Sequence, residues 1–327
     1  MLMYILRRLL GMIPLMVGIT LISFLVIQLA PGGPFGMATD LNPKISAEAI
    51  ERMRAAYHLN EPLYTQYWLW LKDIAQLNFG TSFNPDGLPV LEKITTHLPV
   101  TLWMNIIGLV LVFIVSIPIG VASARYQNTG FDRAMTVAVF IGFAIPGFWL
   151  GLLGMLYFGV EWELLPISGI ASYGSEAWPF WQRLLDWGHH LILPLTIGLI
   201  GSVAGLTRYM RSSMLDVIRQ DYITTARAKG LPEHLVIYRH GLRNALMPVV
   251  TILGLSIPGL IGGSVITESL FSINGMGKLF YDGVMQRDYP LIMGILTIGA
   301  FLTLLGNFLA DLAYALVDPR VRVGKQQ

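Results

Sequence analysis

The stretch "ARAKGLPEHLVIYRHGLRN", residues 226–244, gathers basic side chains and two histidines in a chain that otherwise avoids charge. Of all 327 residues, 54% are hydrophobic and only 13% are charged. Gly230 follows one short helical pattern, and a glycine there favours a left-handed helix end. Pro232 and Glu233 suit the first turn of a second helix. The stretch therefore predicts a short helix that turns sharply at Gly230 into another helix.

Outward from this stretch, the chain consists largely of apolar runs, and its mean hydropathy is +0.61. A helix needs roughly 20 apolar residues to cross a membrane, and a segment in lipid has to satisfy its own backbone hydrogen bonds. The sequence therefore predicts an all-α integral membrane protein with six transmembrane helices. These lie near residues 9–30, 98–124, 134–160, 191–207, 247–267 and 291–310. Kinks are expected where proline falls inside a run, at Pro118, Pro146 and Pro258.

The distribution of Lys and Arg predicts the orientation, because these residues are enriched in cytoplasmic loops. With a cytoplasmic N-terminus, 14 of the 22 Lys and Arg residues lie inside and 8 lie outside. Both termini are then cytoplasmic. The predicted parts are an N-terminal tip with the first span (1–30), an extracytoplasmic helical insertion (31–97), a transmembrane core (98–317) carrying a cytoplasmic loop (208–246), and a cytoplasmic tail (318–327).

The insertion contains two helical patterns. "PKISAEAIERMRAAYHL", residues 43–59, predicts a helix with Ser46 as its N-cap. "PLYTQYWLWLKDIAQLNFG", residues 62–80, predicts a second helix with aromatic residues near its start and Gly80 at its end. Aromatic clusters of this kind are typical of the membrane interface, so we interpret this part as a packing element rather than a ligand site.

The loop 208–246 is expected to be helical throughout. Met210 and Met214 share one helical face with Val217 and Ile218. Asp221 is placed to cap a short helix that ends at Gly230. Beyond the turn, one predicted apolar face repeats at helical spacing, and its members are Leu235, Tyr238, Leu242 and Leu246.

A protruding basic loop has three kinds of partner: anionic lipid, nucleic acid or a cytoplasmic protein. The seven Lys and Arg residues of 208–246 would attract any anionic membrane surface. Lipid attraction alone, however, does not require a defined helix–glycine–helix element. Tethering of the loop at both ends to the membrane argues against nucleic acid. A protein partner on the cytoplasmic side is therefore the favoured prediction, with membrane lipid as a second partner.

The sequence offers no catalytic, cofactor or metal motif. "GMGK" at 275–278 is not a phosphate-binding loop, because Ser272 stands where glycine is needed and Leu279 follows the lysine. The chain has no cysteine, and His189 and His190 are adjacent rather than at zinc-binding spacing. Asp311 is the one acid within the predicted spans, and a partner arginine near the interface is its expected role. A secondary transporter, which needs acids deep in its spans, is kept as the alternative function.

The stretch "DYITTARAKGLPEHLVIYRHGLRNALMPVV" (221–250) resembles the cytoplasmic loop of bacterial binding-protein-dependent ABC permeases. Within that family it is similar to the first permease subunit of the dipeptide, oligopeptide and nickel group. "LRRLLGMIPLMVGITLISFLVIQLAPGGPF" (6–35), "FSINGMGKLFYDGVMQRDYPLIMG" (271–294) and "YALVDPR" (314–320) carry the same resemblance. The general pattern of such loops begins Glu-Ala-Ala, where this sequence has Thr224, Thr225 and Ala226.

The resemblance implies a type I ABC importer permease fold in the bacterial inner membrane and a role in importing dipeptides, oligopeptides or a related solute. It implies a second permease subunit, two cytoplasmic ATP-binding subunits and an extracytoplasmic solute-binding protein, with no nucleic acid and no cofactor. In the family, the helix before the glycine docks in a groove of the ATPase subunit, which drives the spans between inward-open and outward-open states. The coupling residues implied here are Asp221, Thr224, Thr225, Ala226, Arg227, Ala228, Lys229, Gly230 and Leu231. Residues suggested for the substrate pathway are Ser256, Ser264 and Thr267.

Overall fold

The computed structural model describes residues 2–29, 51, 55 and 60–317. These residues form helices and no β-strand, apart from an isolated bridge between Thr81 and Pro89. Most of the predicted helix at 43–59 and the tail 318–327 lie outside the described residues. Among the described residues, the α-helices of six or more residues are α1 (Leu2–Gln28), α2 (Leu63–Ala75), α3 (Val90–Arg125), α4 (Gly130–Ala144), α5 (Gly147–Gly154), α6 (Phe180–Ile218), α7 (Asp221–Ala228), α8 (Met247–Ser256), α9 (Val265–Leu270), α10 (Met276–Met285) and α11 (Tyr289–Val317). A π-helix, Met155–Glu161, continues α5.

Within the described residues, four helical stretches are long and apolar enough to cross a membrane. They are Ile5–Gln28, Val90–Arg125, Phe180–Ile218 and Tyr289–Leu312. The stretch Gly130–Ala144 joins Gly147–Glu161 at a bend of 94°, and the two add a fifth crossing if they form one span. The sequence therefore identifies the apolar regions correctly, while the structure divides two of the six predicted spans.

Proline accounts for the first of these divisions. Ile145 is extended, with φ −91° and ψ 126°, and Pro146 is the N-cap of α5. A proline disfavours helical geometry in the residue before it and has no N–H to donate. The run 247–267 is divided into α8, a 3₁₀ turn at Pro258–Leu260 and α9, although Ile257 before Pro258 keeps helical geometry, with φ −55° and ψ −47°. Pro118, by contrast, lies inside the continuous helix α3.

The chain forms two compact units. The first contains 1–101, 261–265 and 274–327, and the second contains 102–260 and 266–273. In the first unit α1 packs against α11, and Arg8 pairs with Asp311 at 2.7 Å. Asp311 thus pairs with an arginine, but the partner comes from the far end of the sequence and is not one of the arginines near Asp311 in the sequence, which lie outside the described residues.

Helix α2 packs on α1 through polar and aromatic contacts. The Tyr67 hydroxyl lies 3.0 Å from that of Thr20, and Gln28 donates a hydrogen bond of 2.9 Å to Gln66. The rings of Phe24 and Tyr67 are 5.4 Å apart. The predicted helix at 62–80 is thus present from Leu63 to Ala75, and part of its aromatic cluster packs against another helix.

A buried polar network fixes the segment before α3 to the start of α11. The Lys93 ammonium group lies 2.8 Å from Asp86 and donates a 2.9 Å hydrogen bond to Ser82. Ser82 in turn donates to Asp288, which is fully buried. Since a buried charge needs paired and hydrogen-bonded partners, the buried Lys93 is satisfied by Asp86, whose side chain is 47% exposed, and by Ser82, which also contacts the buried Asp288. Around it the apolar core consists of Val90, Ile94, Met276, Leu279, Leu291 and Ile295.

In the second unit α6 runs through the apolar core. Met210 and Met214 are fully buried, with Val217 and Ile218 packed beside them, which confirms the predicted face. Asp132 of α4 accepts two hydrogen bonds from Arg211 of α6, at 2.6 and 2.7 Å. This bidentate pair anchors α4 to α6 close to the predicted loop.

Candidate partner-docking loop

The loop begins where α6 ends at Ile218 and α7 starts at Asp221. Gln220 is the N-cap of α7, and its carbonyl accepts from the N–H groups of Ile223 and Thr224. The prediction that Asp221 caps this helix is wrong, because Asp221 is the first helical residue and no side chain caps the end. Its carboxylate still lies in the first turn, where negative charge is favourable.

Gly230 makes the turn that the sequence predicts. Its φ is +74°, and its N–H donates to the Arg227 carbonyl at 2.9 Å. A Cβ placed on this glycine would meet no atom within 4 Å. The requirement for glycine here is therefore conformational and not steric.

Residues 233–245, which we call the return helix, follow the turn. Pro232 is its N-cap with ψ 142°, and so lies just before the first turn predicted for it. The return helix consists of α-helical ends around a π-helical segment, Val236–Gly241. The apolar face predicted at positions 235, 238, 242 and 246 is right in part: Leu242 and Leu246 pack against the apolar core, whereas Tyr238 is 50% exposed. The fully buried residues are Val236, Ile237, Gly241 and Ala245.

Small residues account for this rotated face. A Cβ on Gly241 would lie 3.5 Å from the Met214 Cε and 3.9 Å from the Val217 Cγ1. Gly241 and Ala245 thus allow the return helix to lie close to α6, while Tyr238 is exposed. The hydrophobic pattern alone favoured the larger residues.

Helix α7 rests on an apolar seat formed by Ile223, Ala226 and Val236, with Val217 of α6 packed against it. Ile223 and Val236 are fully buried, and Ala226 is 7% exposed. Ala226, one of the predicted coupling residues, is therefore part of the seat and not of the free surface. Ile223 and Val236 are seat residues that the sequence analysis did not single out.

An ion pair closes the turn above the seat. The Arg227 guanidinium donates to both Glu233 carboxylate oxygens, at 3.1 and 2.8 Å. This hydrogen bonding holds the pKa of Glu233 below its usual range and raises the pKa of Arg227. Asn244 adds a second link from the return helix, donating a 2.7 Å hydrogen bond to the Tyr222 hydroxyl. The turn is thus held at two points that the sequence did not reveal.

The other predicted coupling residues are exposed and share one continuous segment. They are Asp221, Thr224, Thr225, Arg227, Ala228, Lys229, Gly230 and Leu231. Tyr222, 42% exposed, extends this surface. The loop therefore presents hydroxyl, basic and small side chains on a short helix whose opposite face is fixed, which is the form that a docking element requires.

The three suggested pathway residues are not gathered in the same way. The Ser256 hydroxyl donates within its own helix, to the Ile252 carbonyl at 2.8 Å. Thr267 is half-buried in the same unit, and its hydroxyl would lie 3.8 Å from a Cβ on Gly198. Ser264 is exposed and belongs to the first unit. Within the described ranges, no group of three His, Asp or Glu side chains is placed to hold a metal ion.

Several membrane-length helices joined by a polar two-helix loop are typical of a multi-spanning membrane protein. Residues 116–323 match the family described as binding-protein-dependent transport system inner membrane component. Residues 1–105 match the N-terminal family of the same membrane component. The chain belongs to this family of inner-membrane permease subunits, as the resemblance of 221–250 predicts.

Individual relatives agree with this assignment. The chain is 46% identical to the oligopeptide transport system permease protein AppB of Bacillus subtilis (strain 168), over 97% of this chain and 98% of the relative. It is 36% identical to the dipeptide transport system permease protein DppB of Alkalihalophilus pseudofirmus, over 98% and 100%. A chain of the MetNI methionine ABC transporter, solved in inward-facing conformations, superimposes with a TM-score of 0.54 and 18% identity, over 70% of this chain and 97% of that one. At this identity the structural likeness shows the fold alone.

Proposed function

We propose that this chain is one of two different permease subunits of an ATP-driven importer of dipeptides or oligopeptides, and that α7 is its docking point for an ATP-binding subunit. The observation that carries the proposal is the fixed seat of α7 beneath an exposed polar face. Peptide as the substrate is supported by the names of relatives that match nearly the whole chain.

The seat gives a physical route for coupling. A push on the exposed face of α7 is carried by Ile223 and Val236 to Val217, which belongs to α6. Helix α6 has 39 residues and so extends about 58 Å at 1.5 Å per residue. Because that helix is continuous, a displacement of the loop is converted into movement of a whole membrane span rather than absorbed locally.

The rest of the assembly follows from this role. Two ATP-binding subunits lie on the cytoplasmic side, one beneath each permease subunit, and hydrolyse the ATP. A solute-binding protein delivers peptide from the outside. Both termini of this chain are cytoplasmic, six spans cross the membrane, and the insertion 31–97 is extracytoplasmic. The chain itself performs transport without catalysis, cofactor or nucleic acid.

A steric block on the exposed face of α7 tests the proposal. Ala228 is exposed, so Ala228→Trp adds bulk to the docking face without entering the seat. We expect the variant to insert normally but to lose co-purification with the ATP-binding subunit and at least about tenfold of peptide uptake, equivalent to about 1.4 kcal/mol of docking energy.

The matched control is Ala177→Trp, which makes the same change at an exposed alanine in the 3₁₀ turn Ser175–Ala177. This variant should transport and assemble like the wild type. Normal uptake and assembly in Ala228→Trp would contradict the docking role of α7.

A further inference from the structure

A short stretch of α6 just before the loop is tied both to the loop and to α4. Val217 packs against the seat of α7, and the Ser213 hydroxyl donates a 2.9 Å hydrogen bond to the Ala245 carbonyl of the return helix. Arg211 donates to both carboxylate oxygens of Asp132 in α4, from Nε at 2.6 Å and from Nη2 at 2.7 Å. The attachments of the loop and of α4 therefore lie within about two helical turns of each other.

The carboxylate of Asp132 also fixes the turn between α3 and α4. Asp132 is 3% exposed, and its Oδ2 accepts a 2.9 Å hydrogen bond from the Asn128 N–H. Asn128 has a φ of +62°, a left-handed conformation that asparagine adopts more readily than most residues. Thr129 follows as the N-cap of α4, and its side chain accepts from the Asp132 N–H. One buried carboxylate therefore connects the turn, the start of α4 and α6.

Apolar packing between α4 and α6 is incomplete next to this ion pair. A cavity of about 120 Å³ lies there, lined in α4 by Met135, Thr136, Val139 and Phe140 and in α6 by Thr207, Arg208 and Arg211. The two helices come close further along α4, where a Cβ on Gly142 would lie 3.1 Å from the Ile200 Cγ2. Since the cavity lies between these two contacts along α4, the ion pair holds the first turn of α4 to α6.

We propose that the Asp132–Arg211 pair is a second coupling element, which makes α4 follow α6 when the loop is displaced. The inference rests on the proposed function, in which the loop receives the motion of an ATP-binding subunit. Apolar contacts between helices have no fixed direction, whereas the two hydrogen bonds of an arginine fork fix both distance and orientation. Asp132 and Arg211 are therefore positioning residues, which act through α4 and α6 rather than on ATP or peptide.

A purely structural role is the alternative for this pair. A buried ion pair often adds little net stability, because removing both charges from water offsets their attraction. The two roles differ in what a variant loses. A structural role predicts that stability, assembly and transport fall together. A coupling role predicts that peptide uptake falls while assembly and ATP hydrolysis are retained.

Vesicles that contain the complete transporter test the proposal, with uptake of radiolabelled trialanine and ATP hydrolysis measured in the same sample. Asp132→Asn keeps the side-chain shape but removes the charge. We expect this variant to co-purify with the ATP-binding subunit and to hydrolyse ATP, but to import at least about fivefold less peptide per ATP, the lower end of typical coupling between two sites. Arg211→Lys, which keeps the charge but not the fork, should lie between the wild type and Asp132→Asn.

The matched control is Asp216→Asn, which makes the same change at an exposed position of α6 and should behave as the wild type. A distance measurement adds a reading that does not depend on transport. With nitroxides at Arg133→Cys in α4 and Arg219→Cys at the end of α6, both exposed, the wild type should give the same distance with and without ATP. In Asp132→Asn, the distance should shift or its distribution broaden when ATP is added.

Three results would overturn the proposal. The first is wild-type import per ATP in Asp132→Asn, and the second is a parallel fall in uptake, ATP hydrolysis and the midpoint of thermal denaturation. The third is loss of co-purification, which would assign the pair to the shape of the loop. Uptake by the wild type without ATP would instead contradict the proposed function, so the two failures are distinguishable. If Asp132→Asn is unstable, Arg211→Lys provides the same measurements.

Discussion

Gly230 is the residue on which the shape of the proposed docking loop depends. Its φ of +74° is unfavourable for residues with a Cβ, whereas the space around it is open. Asparagine adopts left-handed geometry more readily than other residues with side chains. A series of substitutions at this position therefore separates backbone conformation from bulk.

We expect Gly230→Ala to destabilise the turn by about 1 kcal/mol and to reduce peptide uptake several-fold, because α7 would lose its fixed angle. Gly230→Asn, although larger, should retain more uptake than Gly230→Ala. Transport assays on membranes with equal protein amounts measure the order. If uptake instead follows side-chain size, with asparagine worse than alanine, the position is limited by space in a partner and not by backbone geometry.

The ion pair between Glu233 and Arg227 should make the stability of the same turn depend on pH. Hydrogen bonding from Arg227 lowers the pKa of Glu233, so the pair stabilises the fold above the ordinary glutamate pKa and is lost as pH falls through the lowered value. Both side chains are about two-fifths exposed, which limits the contribution to less than about 1 kcal/mol.

At neutral pH, Glu233→Gln should speed hydrogen exchange in residues 221–231, while Glu161→Gln, an exposed glutamate elsewhere, should leave it unchanged. At a pH well below the lowered pKa, the wild type and Glu233→Gln should exchange alike. A difference that persists in acid would show that Glu233 acts through something other than its charge.

At the residue level the sequence predicts the turn at Gly230 but not the contacts that hold it. Glycine and proline have local conformational preferences that any sequence displays. The partners of Arg227 and Tyr222 depend on how closely the return helix approaches α7. That approach depends on the small side of the return helix at Gly241, which hydrophobic periodicity does not favour as a buried face.

At the level of helices, apolar length predicts where the membrane segments lie but not where they break. The 94° bend after Ala144 follows from Pro146, yet Pro118 remains inside a continuous helix. The sequence also does not predict the polar network at Lys93, because Ser82 and Asp288 are 206 positions apart.

Lys93 provides a prediction for the stability of the first unit. Lys93→Met keeps a long apolar side chain but removes the cation beside Asp86 and the donor to Ser82. Because Asp86 is 47% exposed, its pair with Lys93 contributes less than about 1 kcal/mol, and the lost hydrogen bond to Ser82 adds about 1 kcal/mol. We expect a clear fall in the midpoint of thermal denaturation in detergent, with little change for Lys72→Met, whose lysine is exposed. Equal midpoints for both variants would show that the network does not stabilise the fold.

At the level of the whole molecule, the family and the membrane character were predictable because both are encoded along the entire chain. Apolar runs and the segment 221–250 required no knowledge of tertiary contacts. The pairing of Arg8 with Asp311 could not be read from the sequence, since it joins helices from opposite ends of the chain. The substrate pathway was also not predictable, because helical periodicity does not state which face of a span is turned inward.

The central claim is that the turn at Gly230 faces the cytoplasm and contacts an ATP-binding subunit. Since the chain has no cysteine, single-cysteine variants report accessibility directly. Lys229→Cys in the loop and Tyr173→Cys in the segment between α5 and α6 are both at exposed positions. In protoplasts, a membrane-impermeant maleimide should label the cysteine at position 173 and not that at 229.

After the membranes are opened, position 229 should become labelled, and the presence of the ATP-binding subunit should protect it. Labelling of position 229 in intact protoplasts would contradict the account, because the docking loop would then face away from the nucleotide.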